Sequence, residues 1–146
     1  EIPVGIVPTK TISQGLTAML SFDPDASVEE NVEAMSEDLD TVKSGEVTKA
    51  IRDTKIDDIE VKKDDYLGIV DGTIKVDNPD LVDTTVSMIE KMLDEDSEII
   101  TIMYGSDATR AEADEAVKKL KATHDDLEFE VHDGGQPVYY FLVSVE

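Results

Sequence analysis

The 146-residue chain carries 35 Asp and Glu against 13 Lys and Arg, a formal net charge of −22. A surface of that sign repels phosphate backbones and anionic lipid headgroups, which sets nucleic acid and membranes aside as partners. The chain has no cysteine and only two histidines, so disulfides, thiolate nucleophiles and cysteine-held zinc are excluded, and no apolar run approaches the ~20 residues of a membrane span.

The hydrophobic fraction of 40% suits a globular α/β protein. No basic-then-apolar leader opens the chain, and it begins at Glu1, as a processed form or a piece of something longer would. Ile2 to Thr9 is apolar and β-branched, punctuated by Pro3 and Pro8, and reads as a buried strand. A hydroxyl-rich loop, Thr9 to Gly15, is expected next, then a short apolar stretch from Leu16 to Phe22 and a turn at Asp23-Pro24-Asp25. Ser27-Val28-Glu29-Glu30 has the spacing of a capping box, and Val28, Val32, Met35, Leu39 and Val42 give the helix it opens one apolar face. Ser44-Gly45 is expected to end that helix.

Glu46 to Thr54 is expected to be extended, and Ile56 to Lys62 alternates as a half-exposed strand does. Tyr66 to Val70 and Thr73 to Val76 flank Asp71-Gly72, a pair that supplies the positive φ of a tight hairpin. Asn78-Pro79 predicts a capped helix start, with Val82, Val86, Ile89 and Leu93 on one face. Ile99 to Tyr104 reads as a central buried strand. Thr109 to Glu112 is a second capping box, followed by Ala113, Ala116, Val117 and Leu120 on one face. Leu127, Phe129 and Val131 form a one-sided strand, and His132 to Pro137 turns into a last strand, Val138 to Val145. The order of elements predicts helices packed on a mixed β-sheet.

No phosphate-cradling glycine pattern and no nucleophile elbow is present, so nothing here binds ATP by a recognisable route. The Thr9 to Gly15 segment offers Thr9, Thr11, Ser13 and Gly15 as an anion or small-ligand loop; the same hydroxyls would equally serve as helix caps. Asp94-Glu95-Asp96 and Asp64-Asp65 lack the alternating ligands and mid-loop glycine of a calcium hand and read as solvated turns, so no metal site is assigned. His132 has no evident partner for chemistry, and no catalytic residue is assigned. From Asp23 to Asp40 there are eight carboxylates and no base, and Glu29, Glu33 and Glu37 stack four apart on one side of the capped helix. That row is either a solvated face or a surface facing a basic partner.

Several strings in order carry a wider resemblance: Pro8 to Gly15, Val42 to Gly45, Arg52 to Ile56, Asp65 to Ile69, Asp94 to Glu98 and His132 to Tyr140. Together they resemble the C-terminal region of the dihydroxyacetone-kinase-like fatty acid kinase proteins, which is itself similar to DegV-like fatty-acid-binding proteins. The resemblance covers essentially the whole chain. It implies a bacterial cytoplasmic setting and a division at 1–45, the tail of a first DegV-like lobe, and 46–146, a second lobe. It also implies that ATP and magnesium belong to other domains of the full-length kinase, with no cofactor in this region. By the same resemblance this region is non-catalytic and inactive alone. It would dock a DegV-like fatty-acid-binding protein through a basic patch on that partner, with Glu29, Glu33 and Glu37 as the contact. The alternative is a domain that binds a fatty acid or anion itself at Thr9 to Gly15. Uncovered apolar faces at Ile2 to Val7 and Leu16 to Phe22 would favour a homo-oligomer.

Overall fold

The computed structural model describes residues 2–56 and 58–146. The chain divides into two compact units, one running to Val42 and the other Lys43–Glu146.

The first unit is helical. Residues 2–10 form no strand: Ile2, Val4 and Ile6 are each more than 80% exposed, where a buried strand was expected. Pro3 and Pro8 lack an amide donor, and among the described residues of the unit no neighbouring strand offers a ladder. The expected Thr9–Gly15 loop is largely helix, because α1 (Ile12–Leu20) begins within it on the Thr11 cap. A short turn leads to α2 (Val28–Glu37), whose box forms as expected: the Glu30 amide donates to Ser27 Oγ at 3.2 Å and the Ser27 amide to Glu30 Oε2 at 2.8 Å. Buried Asn31 ties the turn to the helix, accepting from the Asp23 amide and donating to the Asp23 carbonyl, both at 2.8 Å. A 3-10 turn, Asp38–Thr41, closes the unit. It is held by Gln14 Nε2 on the Leu39 carbonyl at 3.2 Å and by the Ser21 hydroxyl on Asp38.

Helix α1 is turned inside out. Its inward residues are small, Ser13 and Ala18, while Ile12, Leu16, Met19 and Leu20 are all more than half exposed. Such a stripe is what a helix normally buries.

The second unit is a six-stranded mixed sheet in the order β5-β4-β1-β8-β6-β7. Its strands are β1 (Lys43–Lys49), β4 (Tyr66–Val70), β5 (Thr73–Asn78), β6 (Ile99–Tyr104), β7 (Glu128–Asp133) and β8 (Phe141–Val145). A separate hairpin pairs β2 (Thr54–Ile56) with β3 (Ile59–Val61). Within the six-stranded sheet only β6 and β7 run parallel, joined through α4 (Arg110–Lys121). Ser44 and Gly45 do not end a helix; they lie in β1, where Gly45 pairs with Val70 on one side and Val143 on the other. Thr54 is the only residue of Glu46–Thr54 that lies in β2, because β1 stops at Lys49 and the chain bends through Ala50–Asp53. The Asp71-Gly72 hairpin is present, with φ of 47° and 81°. The cap of α3 (Leu81–Met92) is Asp80 rather than Asn78; Asn78 ends β5 and accepts from the Asp80 amide at 2.8 Å. The last strand starts at Phe141, three residues later than expected, since Val138 at φ 71° cannot continue a ladder.

Both α3 and α4 lie on one face of the sheet. Between helices and sheet are Met88, Ile89 and Met92 of α3, Leu120 of α4, and Ile100, Ile102, Phe141 and Val143 from the strands, all essentially dry. Each such side chain contributes roughly 1.5–3 kcal/mol by leaving water. The two buried threonines of α3 are satisfied by back-bonding to the previous turn, Thr84 to the Asp80 carbonyl at 2.6 Å and Thr85 to that of Leu81 at 2.8 Å.

Candidate functional site

The strongest candidate surface lies on the first unit. The capping box fixes the start of α2, and the four-residue spacing then sets Glu29, Glu33 and Glu37 in one row, all exposed. The extended residues Val4, Gly5 and Ile6 lie along the same helix and, with Val28 and Val32, line a groove of about 590 Å3 whose rim is the glutamate row. Gly5 permits the close approach: a Cβ there would sit 2.3 Å from Val32 Cγ2 and 2.9 Å from Val28 Cγ1. Glu30 plays a different part. Its carboxyl is held below the ordinary glutamate range by the Ser27 amide and then the Ser27 hydroxyl, against a small opposing effect of burial.

Thr9, Thr11, Ser13 and Gly15 are not gathered into one pocket. Thr9 is exposed ahead of α1, its amide donating to the Val7 carbonyl at 2.8 Å. Thr11 is the N-cap, its hydroxyl accepting from the Gln14 amide at 3.1 Å, while the Gln14 side-chain carbonyl accepts from the Lys10 amide at 2.8 Å. Ser13 is buried in the first turn of α1. Gly15 sits in the helix interior with nothing within 4 Å of where a Cβ would be.

The acidic turns have local work. Asp94 receives the Lys43 ammonium, and its carboxyl is held below the usual range chiefly by that hydrogen bond and then by the Ser97 hydroxyl. Lys43 also donates to the Met92 carbonyl at 3.1 Å, satisfying the end of α3. Asp64 stands 3.7 Å from Lys49. Among the described residues no group of three His, Asp or Glu side chains is placed to hold a metal ion, and no helix is long and apolar enough to cross a membrane. His132 pairs with Glu130 at 3.1 Å on the exposed edge of β7.

Two features escaped the sequence. Gln136 pins the last loop to the end of β6, its amide nitrogen donating to the Met103 carbonyl at 3.1 Å and its backbone carbonyl receiving the Ser106 amide at 2.9 Å. Gly105 is pressed against that loop. Asp77 on β5 keeps one buried carboxylate oxygen without a hydrogen-bond partner. Burial, and then repulsion from Asp65, raises its pKa above the ordinary aspartate value, with Lys62 opposing. No periodicity or motif signals any of these, because each depends on contacts between distant segments.

Helices on a mixed sheet, joined to an acidic helical unit, define an α/β domain of the DegV type. The structure of a DegV family protein from Ruminococcus gnavus, solved with vaccenic acid, superposes with a TM-score of 0.57 at 16% identity, over 91% of this chain and 54% of that one. Over residues 1–146 the sequence matches the FakA-like C-terminal family of fatty acid kinases, and the chain belongs to that family. An uncharacterized protein of Staphylococcus aureus strain USA300 is 43% identical over 141 residues, which is 97% of this chain and 26% of that protein. Its counterpart in strain MRSA252 is 42% identical over the same share. The chain thus spans about a quarter of the length of the curated relatives it matches. The resemblance drawn from the sequence strings is the relationship these matches show.

Proposed function

We propose that this chain is the non-catalytic docking region of the kinase component of a two-component fatty acid kinase, which forms acyl phosphate from a fatty acid presented by a second protein. The family supports the kinase component, and the observation that carries the docking part is the α2 row. Three exposed carboxylates are held in line with no base between Asp23 and Asp40 to relieve them. Repulsion of that kind is a cost to the fold that a basic partner would remove. The partner is a DegV-like fatty-acid-binding protein with a basic patch in a bacterial cytoplasm. ATP and magnesium bind elsewhere on the full-length kinase, so the 146-residue chain is inactive alone.

Calorimetric titration of the chain with a DegV-like fatty-acid-binding protein from the same cell tests this. Binding that weakens as salt rises is expected, since surface attraction fades beyond the ~8 Å Debye length of physiological salt. No binding at low salt overturns it.

The vaccenic acid in the Ruminococcus gnavus DegV structure favours a second reading, a fatty acid held by this chain itself. Against it, Thr11 is spent on the helix cap and Ser13 faces inward. The outward apolar face of α1 adds a further proposal, that copies of the isolated chain associate through Ile12, Leu16 and Met19.

A further inference from the structure

The groove on the first unit has two unlike sides. Its floor is apolar, with Val4 and Ile6 from the extended segment and Val28 and Val32 from α2. Its rim is anionic, the three glutamates following one another at a rise of about 6 Å along the helix. None of the three makes an ion pair among the described residues.

A trough of this size with a rim of one sign selects its occupant twice over. An acyl chain would fill the floor, yet a free fatty acid or phospholipid brings a negative head to a negative rim. A second copy of this chain would set eight carboxylates against eight, with no base between Asp23 and Asp40 on either. A helix whose apolar stripe is bordered by Lys or Arg at every fourth position meets both demands. Its cations repeat at the same ~6 Å rise as the glutamates, and its apolar residues face the floor.

We infer that the groove seats a basic-edged amphipathic helix of the partner protein. This rests on the docking reading above and narrows it from an acidic face to a groove whose valine floor contributes beside the rim. Salt therefore weakens the complex without abolishing it, because the rim is screened and the floor is not.

The test titrates the 146-residue chain with a synthetic Leu/Lys helix of about 18 residues, long enough to be helical, with Lys along one edge at i, i+4 spacing. A copy with Gln for Lys is the control, and the DegV-like protein is titrated in parallel. The chain is used unaltered, as Glu33→Lys/Glu37→Lys, and as Val32→Asn, each checked for retained helix by circular dichroism. The Leu/Lys helix is expected to bind at least tenfold tighter than the Gln control. The double reversal should erase that difference, and Val32→Asn should weaken both peptides about fivefold, or roughly 1 kcal/mol. Binding of the Leu/Lys helix that ignores Val32→Asn is general charge attraction and overturns the groove. If the DegV-like protein binds through the rim but the synthetic helix does not bind, docking stands and the groove fails. If the helix binds as expected and the DegV-like protein does not, the groove stands and the docking reading fails; if neither binds, both fail.

Discussion

Reversing the middle carboxylate of the α2 row separates what the row does for the fold from what it does for a partner. Glu33 lies four residues from both Glu29 and Glu37, beyond the first turn where the helix dipole would favour an acid. Each like pair at that spacing costs roughly 0.2–0.5 kcal/mol, and each opposite pair returns about as much. Glu33→Lys removes two repulsions and creates two attractions, four contributions that together add about 0.8–2 kcal/mol. Glu29 precedes the new cation in the favourable order and Glu37 follows it in the unfavourable one, so the lower half of that range is expected. In a chain of this length 1 kcal/mol moves the melting midpoint by about 2–4 °C. Thermal unfolding followed by circular dichroism at low salt should therefore show a rise of about 2–4 °C, shrinking at high salt. The same substitution should weaken binding of the DegV-like protein. A midpoint that is unchanged or lower at low salt would refute the reasoning, because Glu33 would then be stabilising α2 rather than straining it.

Gly105→Ala should be strongly destabilising, since its Cβ would stand 2.3 Å from the Tyr139 carbonyl oxygen and 2.5 Å from that of Gln136. Overpacking against backbone costs about 1–3 kcal/mol, and urea denaturation should show the midpoint falling while Gly15→Ala, with open space around it, lowers nothing. Asp77→Asn should stabilise the chain at neutral pH by about 1 kcal/mol, the scale of an unsatisfied buried polar group. Because the folded pKa of Asp77 is raised, its stability contribution is fullest below the ordinary aspartate pKa and is lost as pH rises through the folded value. The gap between Asp77→Asn and the parent should therefore close on acidification; a gap independent of pH would contradict the assignment. Leu16→Ser/Met19→Ser should reduce self-association in sedimentation velocity without lowering the melting midpoint, as both side chains are more than half exposed.

The legible parts of this fold were the local ones. The Ser27 and Thr109 boxes and the Asp71-Gly72 hairpin are each decided within four residues, and each stands as its spacing implied. The misread parts needed distant partners. Ser44-Gly45 looks like a helix end until β4 and β8 close on it from both sides, and Gly45 then gives Met88 and Met92 of α3 room to pack. Ile2 to Val7 has strand composition, but composition without a neighbouring strand leaves it extended and exposed. The cap of α3 moved from Asn78 to Asp80 because β5 holds Asn78 in its ladder with Tyr66. For the candidate site, the glutamate row followed from helical spacing alone. Its apolar floor did not, since nothing in the sequence says that Gly5 lies against Val28 and Val32.

Where the partner touches the chain is the most direct test of the docking account. Isotope-labelled chain titrated with the DegV-like fatty-acid-binding protein should show amide shift changes concentrated on residues 4–6 and 28–37, reduced together when Glu29, Glu33 and Glu37 are reversed. Changes confined to the loops of the second unit, with residues 28–37 silent, would contradict it.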